Sequence, residues 1–231
     1  MRAAIPALAV AICAAGFLRA DEAAGQTIAS PYSFLEERQS VGAFAGFLDT
    51  NTGGFGYGPS GGLWVGGRYE VELTGPLSLE GVAGVIDGTR DVVSPGRPPG
   101  DRVIGEAETL ITTFEARLKF SMMGNRSWHG FSPFVLAGGG LAVDVAEPPA
   151  LDEQLEEDEI FDFGPSFLGT LGGGIRWFAT DRFTLRTDAL FSLWKISTPL
   201  GFGDPQYNFG PLPEGEWVSG FSVTGGLSFR W

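Results

Sequence analysis

The sequence is poor in the residues on which most protein chemistry depends. Among 231 residues there is one cysteine and one histidine. Cys13 lies in an N-terminal apolar stretch, so once that stretch is removed the chain has neither a disulfide nor a thiolate-bound metal. Positive charge is also scarce: 15 Lys and Arg stand against 28 Asp and Glu, a formal net charge of −13. That balance argues against nucleic-acid binding, which needs a basic surface to displace phosphate counterions. Beyond the N-terminus no apolar run approaches the roughly 20 residues of a membrane-spanning helix. What the chain does have is glycine (36 residues) and aromatics (13 %), with only 19 % charged residues. Glycine is unfavourable inside helices and aromatics favour pleated surfaces, so the mixture points to β structure. The length suits one sizeable domain or two small ones.

Residues 1–25 read as a cleaved secretory signal peptide. Arg2 supplies a short positive region, Ala3 to Leu18 an apolar run, and small residues follow, with Ala20 or Gly25 (Ala23 at −3) as the last residue before cleavage. The run is too short for a membrane anchor. Lipidation of Cys13 is disfavoured because Ile12 occupies the place where a lipoprotein signal carries a small residue. Cleavage before Gln26 removes Arg2, Arg19, Asp21 and Glu22, so the net charge of −13 belongs to the mature chain.

Residues 26–38 form an expected N-terminal periplasmic segment, where Ser33-Phe34-Leu35-Glu36 has capping-box spacing and predicts one short helical turn. From 39 to 231 the pattern changes to period-two segments separated by Gly, Pro, Asp and Asn clusters. The clearest is 183–193, with Phe183, Leu185, Thr187, Ala189, Phe191 and Leu193 on one face; on the other lie Thr184, Arg186, Asp188 and Ser192, with Leu190 as the exception. Segments 63–73, 108–120 and 221–231 alternate in the same way, and 40–48, 77–87, 132–144 and 166–178 do so more weakly. Eight strands result. Long connections (49–61, 88–106, 145–164 and 197–216) alternate with short ones at Thr74-Gly75-Pro76, 121–131 and Ala179–Arg182. Outer-membrane barrels show this alternation, with short periplasmic turns and long outer loops. The fold class expected is all-β: an eight-stranded antiparallel up-and-down transmembrane β-barrel.

A soluble, lipocalin-like barrel also alternates, but turns its apolar side inward. Two features favour the membrane form. Phe221 to Trp231 and Phe167 to Trp177 each span ten steps, about 33 Å of strand and, at a tilt of ~40°, about 25 Å of height. That matches the apolar band between two aromatic girdles, here assigned to Phe167, Trp177, Phe183, Phe191, Phe221, Phe229 and Trp231. The opposite faces carry nearly balanced charge: Arg68, Arg117, Lys119, Arg176, Arg186 and Arg230 against Glu70, Glu72, Glu80, Glu115 and Asp188. These eleven residues are candidates for a lumen ion-pair network, since an unpaired charge in a narrow interior is very costly.

The segments Ser132-Pro133-Phe134-Val135-Leu136-Ala137-Gly138-Gly139-Gly140 and Gly173-Gly174-Ile175-Arg176-Trp177-Phe178 resemble strands of the OmpA-like outer-membrane β-barrel superfamily, which includes the small OmpX and OmpW types. The ending Gly226-Leu227-Ser228-Phe229-Arg230-Trp231 resembles the C-terminal signal read by the barrel-assembly machinery, with Trp where Phe is usual. The resemblance implies an outer-membrane location with both termini periplasmic. It implies outer-membrane lipids and the assembly machinery as partners, and neither nucleic acid nor a known protein partner.

Barrel enzymes of that membrane use histidine with serine or aspartate. His129, in Asn125-Arg126-Ser127-Trp128-His129-Gly130, falls in a turn at the periplasmic end, and Ser127 beside it makes no pocket. The chain is therefore expected to be no enzyme, with no catalytic, cofactor-binding or metal-ligating residues. The acidic loop from Glu147 to Asp162 lacks EF-hand spacing and reads as a solvated, mobile surface rather than a Ca²⁺ or Mg²⁺ site. Gly53-Gly54-Phe55-Gly56-Tyr57-Gly58 fits a partner-contact loop and ordinary loop composition equally. An eight-stranded interior is filled by side chains, which favours a structural or surface-interaction role. The alternative is a narrow channel for small or hydrophobic solutes, suggested by the apolar inner face Phe134, Leu136 and Ala142.

Overall fold

The computed structural model describes residues 30–35 and 38–231. The signal peptide expected at 1–25, with Cys13, lies outside the described residues. Ten strands occur: β1 (Tyr32–Phe34), β2 (Gln39–Thr50), β3 (Pro59–Thr74), β4 (Leu77–Val93), β5 (Val103–Ser121), β6 (Arg126–Trp128), β7 (Phe131–Asp144), β8 (Ser166–Phe178), β9 (Phe183–Ser197) and β10 (Gly215–Arg230). Eight of them, all but β1 and β6, pair antiparallel with their chain neighbours and close into a barrel. The seam is the β10–β2 ladder, from Gly220 opposite Thr50 to Arg230 opposite Ser40. Gln39 and Trp231 extend it by exchanging backbone hydrogen bonds of 3.3 and 3.1 Å.

Each expected strand is present, and several run longer than alternation indicated. The connection expected at 88–106 is mostly ladder: Arg90 opposes Ala107 and Val92 opposes Gly105, so only 94–102 remains as loop. Beyond the apolar band the outward positions of this hairpin turn polar (Thr89, Asp91, Glu106 and Glu108) while Arg90, Val92 and Ala107 stay buried inside, so pairing continues where the apolar outer face stops. The last of the long connections, 197–216, likewise loses its end to β10 and contains short 3-10 turns at Leu200–Gly203 and Pro205–Tyr207. The helical turn expected from Ser33 is replaced by β1, which pairs antiparallel with β6. A single helical turn is costly to nucleate, whereas β1 covers an otherwise unpaired strand edge. Glu36 lies outside the described residues.

Side chains sort by the pleat. Outward positions carry Leu63, Val65, Phe114, Leu118, Leu171, Phe191, Val223 and Leu227, all well exposed. The core is the barrel interior. Glycines make room for its rings: a Cβ on Gly84 would meet Trp64 Nε1 at 2.5 Å, and one on Gly174 would meet Phe134 Cζ at 2.8 Å.

Candidate functional site

The lumen has two layers, and each strand contributes to both where its sequence allows. On β3, Trp64 precedes Arg68 and Glu70; on β9, Arg186 and Asp188 precede Leu190 and Trp194. Ionised residues thus gather toward the end with the short turns, and apolar ones toward the end with the long loops. Leu190, the exception to alternation, is buried in the apolar layer at 1 % exposure.

Nine of the eleven charged candidates form one connected cluster. Arg68 bonds Asp188 at 2.7 Å, and Asp188 also accepts from Arg186 Nε at 2.7 Å. Arg186 reaches Glu80, which has Arg117 at 3.6 Å; Arg117 in turn grips Glu115 at 2.7 Å. Glu70 is shared by Lys119, by Arg176 at 3.3 Å and by Arg186 at 3.8 Å. Hydroxyls complete the acceptors: Thr170 donates to Glu115 at 2.6 Å and Thr224 to Asp188 at 3.3 Å. Where this cluster meets the apolar layer, cations lie on ring faces. Arg186 is 4.5 Å from the Phe134 ring centre, Arg68 is 4.8 Å from Phe44, and Arg117 is 5.6 Å from Trp64. Such contacts stabilise a desolvated cation that its carboxylates leave partly uncovered. The remaining two candidates sit at the turn end. Glu72 accepts from Asn125 at 2.9 Å, and Arg230 donates to the Thr180 carbonyl at 3.2 Å and lies over Phe178.

Above the charges, Phe44, Trp64, Ile86, Ile111, Leu136, Leu168 and Trp194 fill the interior. Phe134, Leu136 and Ala142 are all buried, Phe134 amid three cations. The loop end is closed by a cap that alternation does not show. Tyr57 packs on Phe161 at 4.8 Å and on Phe202 at 5.5 Å, and Phe55 packs on Phe202 and Phe209 at 5.2 and 5.1 Å. Arg102, from the second loop (94–102), lies 4.5 Å from the Phe209 ring. Phe163 joins the cap to the lumen through Trp194 at 5.4 Å. Gly53 and Gly56, both with positive φ (83° and 81°), let the 53–58 loop fold its aromatics inward. Burial pushes the Tyr57 phenol up from its ordinary value.

The acidic loop is held rather than free. Asp152 is buried and bonds Arg90 at 2.6 Å; Glu159 is buried and accepts from Tyr207 at 2.5 Å; Phe161 and Phe163 enter the core. Its other acids, including Glu153, Glu156, Glu157 and Asp158, are exposed. Among the described residues no group of three or more His, Cys, Asp or Glu is disposed to hold a metal. Sequence reasoning missed Arg90 because it fell in an expected loop, and missed the cap because loop residues carry no period. His129 is exposed at φ 50° with its ring against Trp128, while Ser127 is buried opposite Ser33.

On the outer surface, aromatics cluster at the turn end. Tyr69, Trp231, Phe229 and Phe183 follow one another at 6.4, 5.9 and 5.6 Å, and Trp177 stacks on Phe131 at 6.1 Å. Toward the loops Phe167 meets Trp217 at 6.2 Å. Phe191 and Phe221 are paired in register, and the outward stripe of β10 continues past Phe221 to Trp217, which is 58 % exposed.

No protein-family model matches the sequence, and no curated protein does. Solved structures do match the fold. The crystal structure of Neisserial surface protein A superposes with a TM-score of 0.53 at 10 % identity, covering 84 % of this chain and 97 % of that one. The outer membrane protein OprG of Pseudomonas aeruginosa gives 0.51 at 12 % identity, with the same coverage of 84 % and 97 %. With its eight antiparallel strands, closed seam and outward apolar band, the chain has the fold of the small outer-membrane β-barrels.

Proposed function

We propose that this chain is an outer-membrane barrel with a structural or surface-interaction role, exported by its residues 1–25, without enzymatic activity and without a continuous pore. The observation that carries this reading is the filled lumen: a nine-residue ion-pair cluster, an apolar layer above it, and a cap drawn from all four loops. Eight strands leave an interior just wide enough for side chains, and here they occupy it. The exposed apolar band fits a lipid surround, since soluble proteins rarely expose continuous patches of this size. In this reading the short turns and Trp231 face the periplasm, the capped end faces outward, membrane lipids contact the band, and the assembly machinery reads the C-terminal aromatic pattern.

Planar-bilayer recording tests the reading. The expected result is no discrete openings; openings abolished by altering Glu80 or Arg186 would overturn it. A channel for small hydrophobic solutes draws on the apolar half of the lumen, but it needs the cap to lift. For the enzymatic class, His129→Ala is expected to leave the outer-membrane lipid profile unchanged, and loss of a modified lipid would revive it.

A further inference from the structure

The outer faces of β8, β9 and β10 carry no Asp or Glu, and Lys195 is their sole cation. Every other Lys or Arg of the barrel strands points into the lumen. Lys195 is exposed just beyond Leu193, at the loop end of the apolar band. Trp217 lies directly opposite it on β10, and Phe167 reaches over from β8 to meet Trp217 at 6.2 Å. Both rings are more than half exposed. The Lys195 stem runs over Gly215, where a Cβ would meet its Cε at 3.1 Å, so the side chain climbs from the band toward the rim. Among the described residues no carboxylate pairs with its ammonium. The sheet also opens here. Pro165 has no amide hydrogen to give a ladder, and β8–β9 pairing stops at Leu168 opposite Trp194. Beyond it the Ser166 hydroxyl donates to the Lys195 carbonyl. The result is a cleft of about 270 Å³ whose walls include Phe167, Lys195, Ser197 and Trp217, together with the exposed Asp162.

A lysine on the lipid face of a barrel is costly at depth and tolerated near the interface, where its stem stays on apolar surface and its ammonium reaches polar groups. Aromatic rings beneath it mark the headgroup level. The anion found at that level is a lipid phosphate, which a lysine binds as a point charge. We infer that this cleft seats the headgroup of one phosphate-bearing lipid, with Lys195 on the phosphate and Phe167 and Trp217 against the first part of the acyl chain. The Ser197 hydroxyl supplies a further donor. Asp162 repels a bare anion but accepts from a hydroxyl or ammonium carried beside the phosphate. That selects against choline, whose methylated nitrogen donates no hydrogen bond. A free oxyanion lacks both that donor and an apolar part for the rings to cover. The inference rests on the outer-membrane reading and deepens it by assigning one lipid site.

The test uses the full barrel inserted into phosphatidylcholine vesicles doped with phosphatidylglycerol brominated on its acyl chains, which quenches nearby tryptophan. Subtracting the Trp217→Phe counterpart of each variant isolates the Trp217 signal. The expected result is a preference at Trp217 for phosphatidylglycerol over equally brominated phosphatidylcholine of about fivefold, the effect of one basic residue at an anionic surface. Lys195→Gln should abolish the preference and Lys195→Arg should keep it. Arg97→Gln, an exposed loop cation outside the cleft, should leave it unchanged. Inorganic phosphate in the buffer should not compete; competition would assign the cleft to a soluble anion and overturn the lipid. Heat-modifiable gel migration reports insertion separately. A barrel that inserts but shows no preference, or loses it equally in Arg97→Gln, overturns this inference alone. A chain that does not insert overturns the outer-membrane reading with it.

Discussion

Glu80 has no exposed surface and meets Arg186 and Arg117 at once. Glu80→Gln leaves both guanidinium groups without that carboxylate and is expected to destabilise the barrel by ~3–5 kcal/mol, measured by denaturant unfolding from lipid vesicles. Glu72→Gln, at the turn end where its carboxylate accepts from the neutral amide of Asn125, should cost less than about 1 kcal/mol. The roles of these two residues could be read only in part from sequence: period two placed both on the inner face, but depth along the barrel decides which one is desolvated. Tyr207 illustrates a different local effect. Its bond to Glu159 favours the protonated phenol and pushes its pKa up to about 12. Since the folded value lies above the unfolded one near ~10, the stabilisation is complete below that pH and is lost as pH rises through about 12. Phenolate absorbance should therefore show a late step that Tyr207→Phe diminishes, leaving the contribution of Tyr57, whose phenol is also pushed up by burial.

At the level of elements, the long β4–β5 hairpin and the four loops act together. Arg90 projects from β4 to Asp152, which ties the acidic loop to the barrel rim, and Phe161 and Phe163 anchor its far side. Arg90→Ala is expected to raise the rate of protease cleavage within 145–165 by at least about tenfold, because local opening then no longer breaks a buried ion pair. Replacing exposed Glu156 and Glu157 with Ser should leave that rate unchanged. The eight strands were legible because inner and outer faces differ in polarity along the apolar band. Their ends were not, because above the band the outward positions turn polar (Thr89, Asp91, Glu106 and Glu108) while Arg90, Val92 and Ala107 stay buried inside and the ladder continues. The cap was illegible for a further reason: Tyr57, Phe161 and Phe202 lie on three separate loops, and no local pattern announces a contact between them.

For the whole molecule, a charge-balanced interior sits inside an acidic shell. Arg68, Arg90, Arg117, Lys119, Arg186 and Arg230 are buried with Glu70, Glu80, Glu115, Asp152, Glu159 and Asp188, while the net charge is −13. The protein should resist extraction by salt, require detergent, and migrate differently on gels before and after boiling; a salt-soluble monomer would refute the membrane reading. Trp231 belongs to both the surface and the seam. It is half exposed within the turn-end aromatic cluster, and its backbone bonds Gln39. Trp231→Asp should therefore impair insertion, because a charge at the lipid boundary is unfavourable, and Trp231→Phe should be nearly silent. The seam has one more consequence, and it concerns time. The β2–β10 ladder joins the first barrel strand in the chain to the last, so until that pairing forms a sheet of these strands has two open edges. Closure waits on the final strand, and with it the burial of every charge in the lumen. Until then the chain is an aggregation-prone ribbon with its inner charges in water, and its survival depends on something that shields those edges.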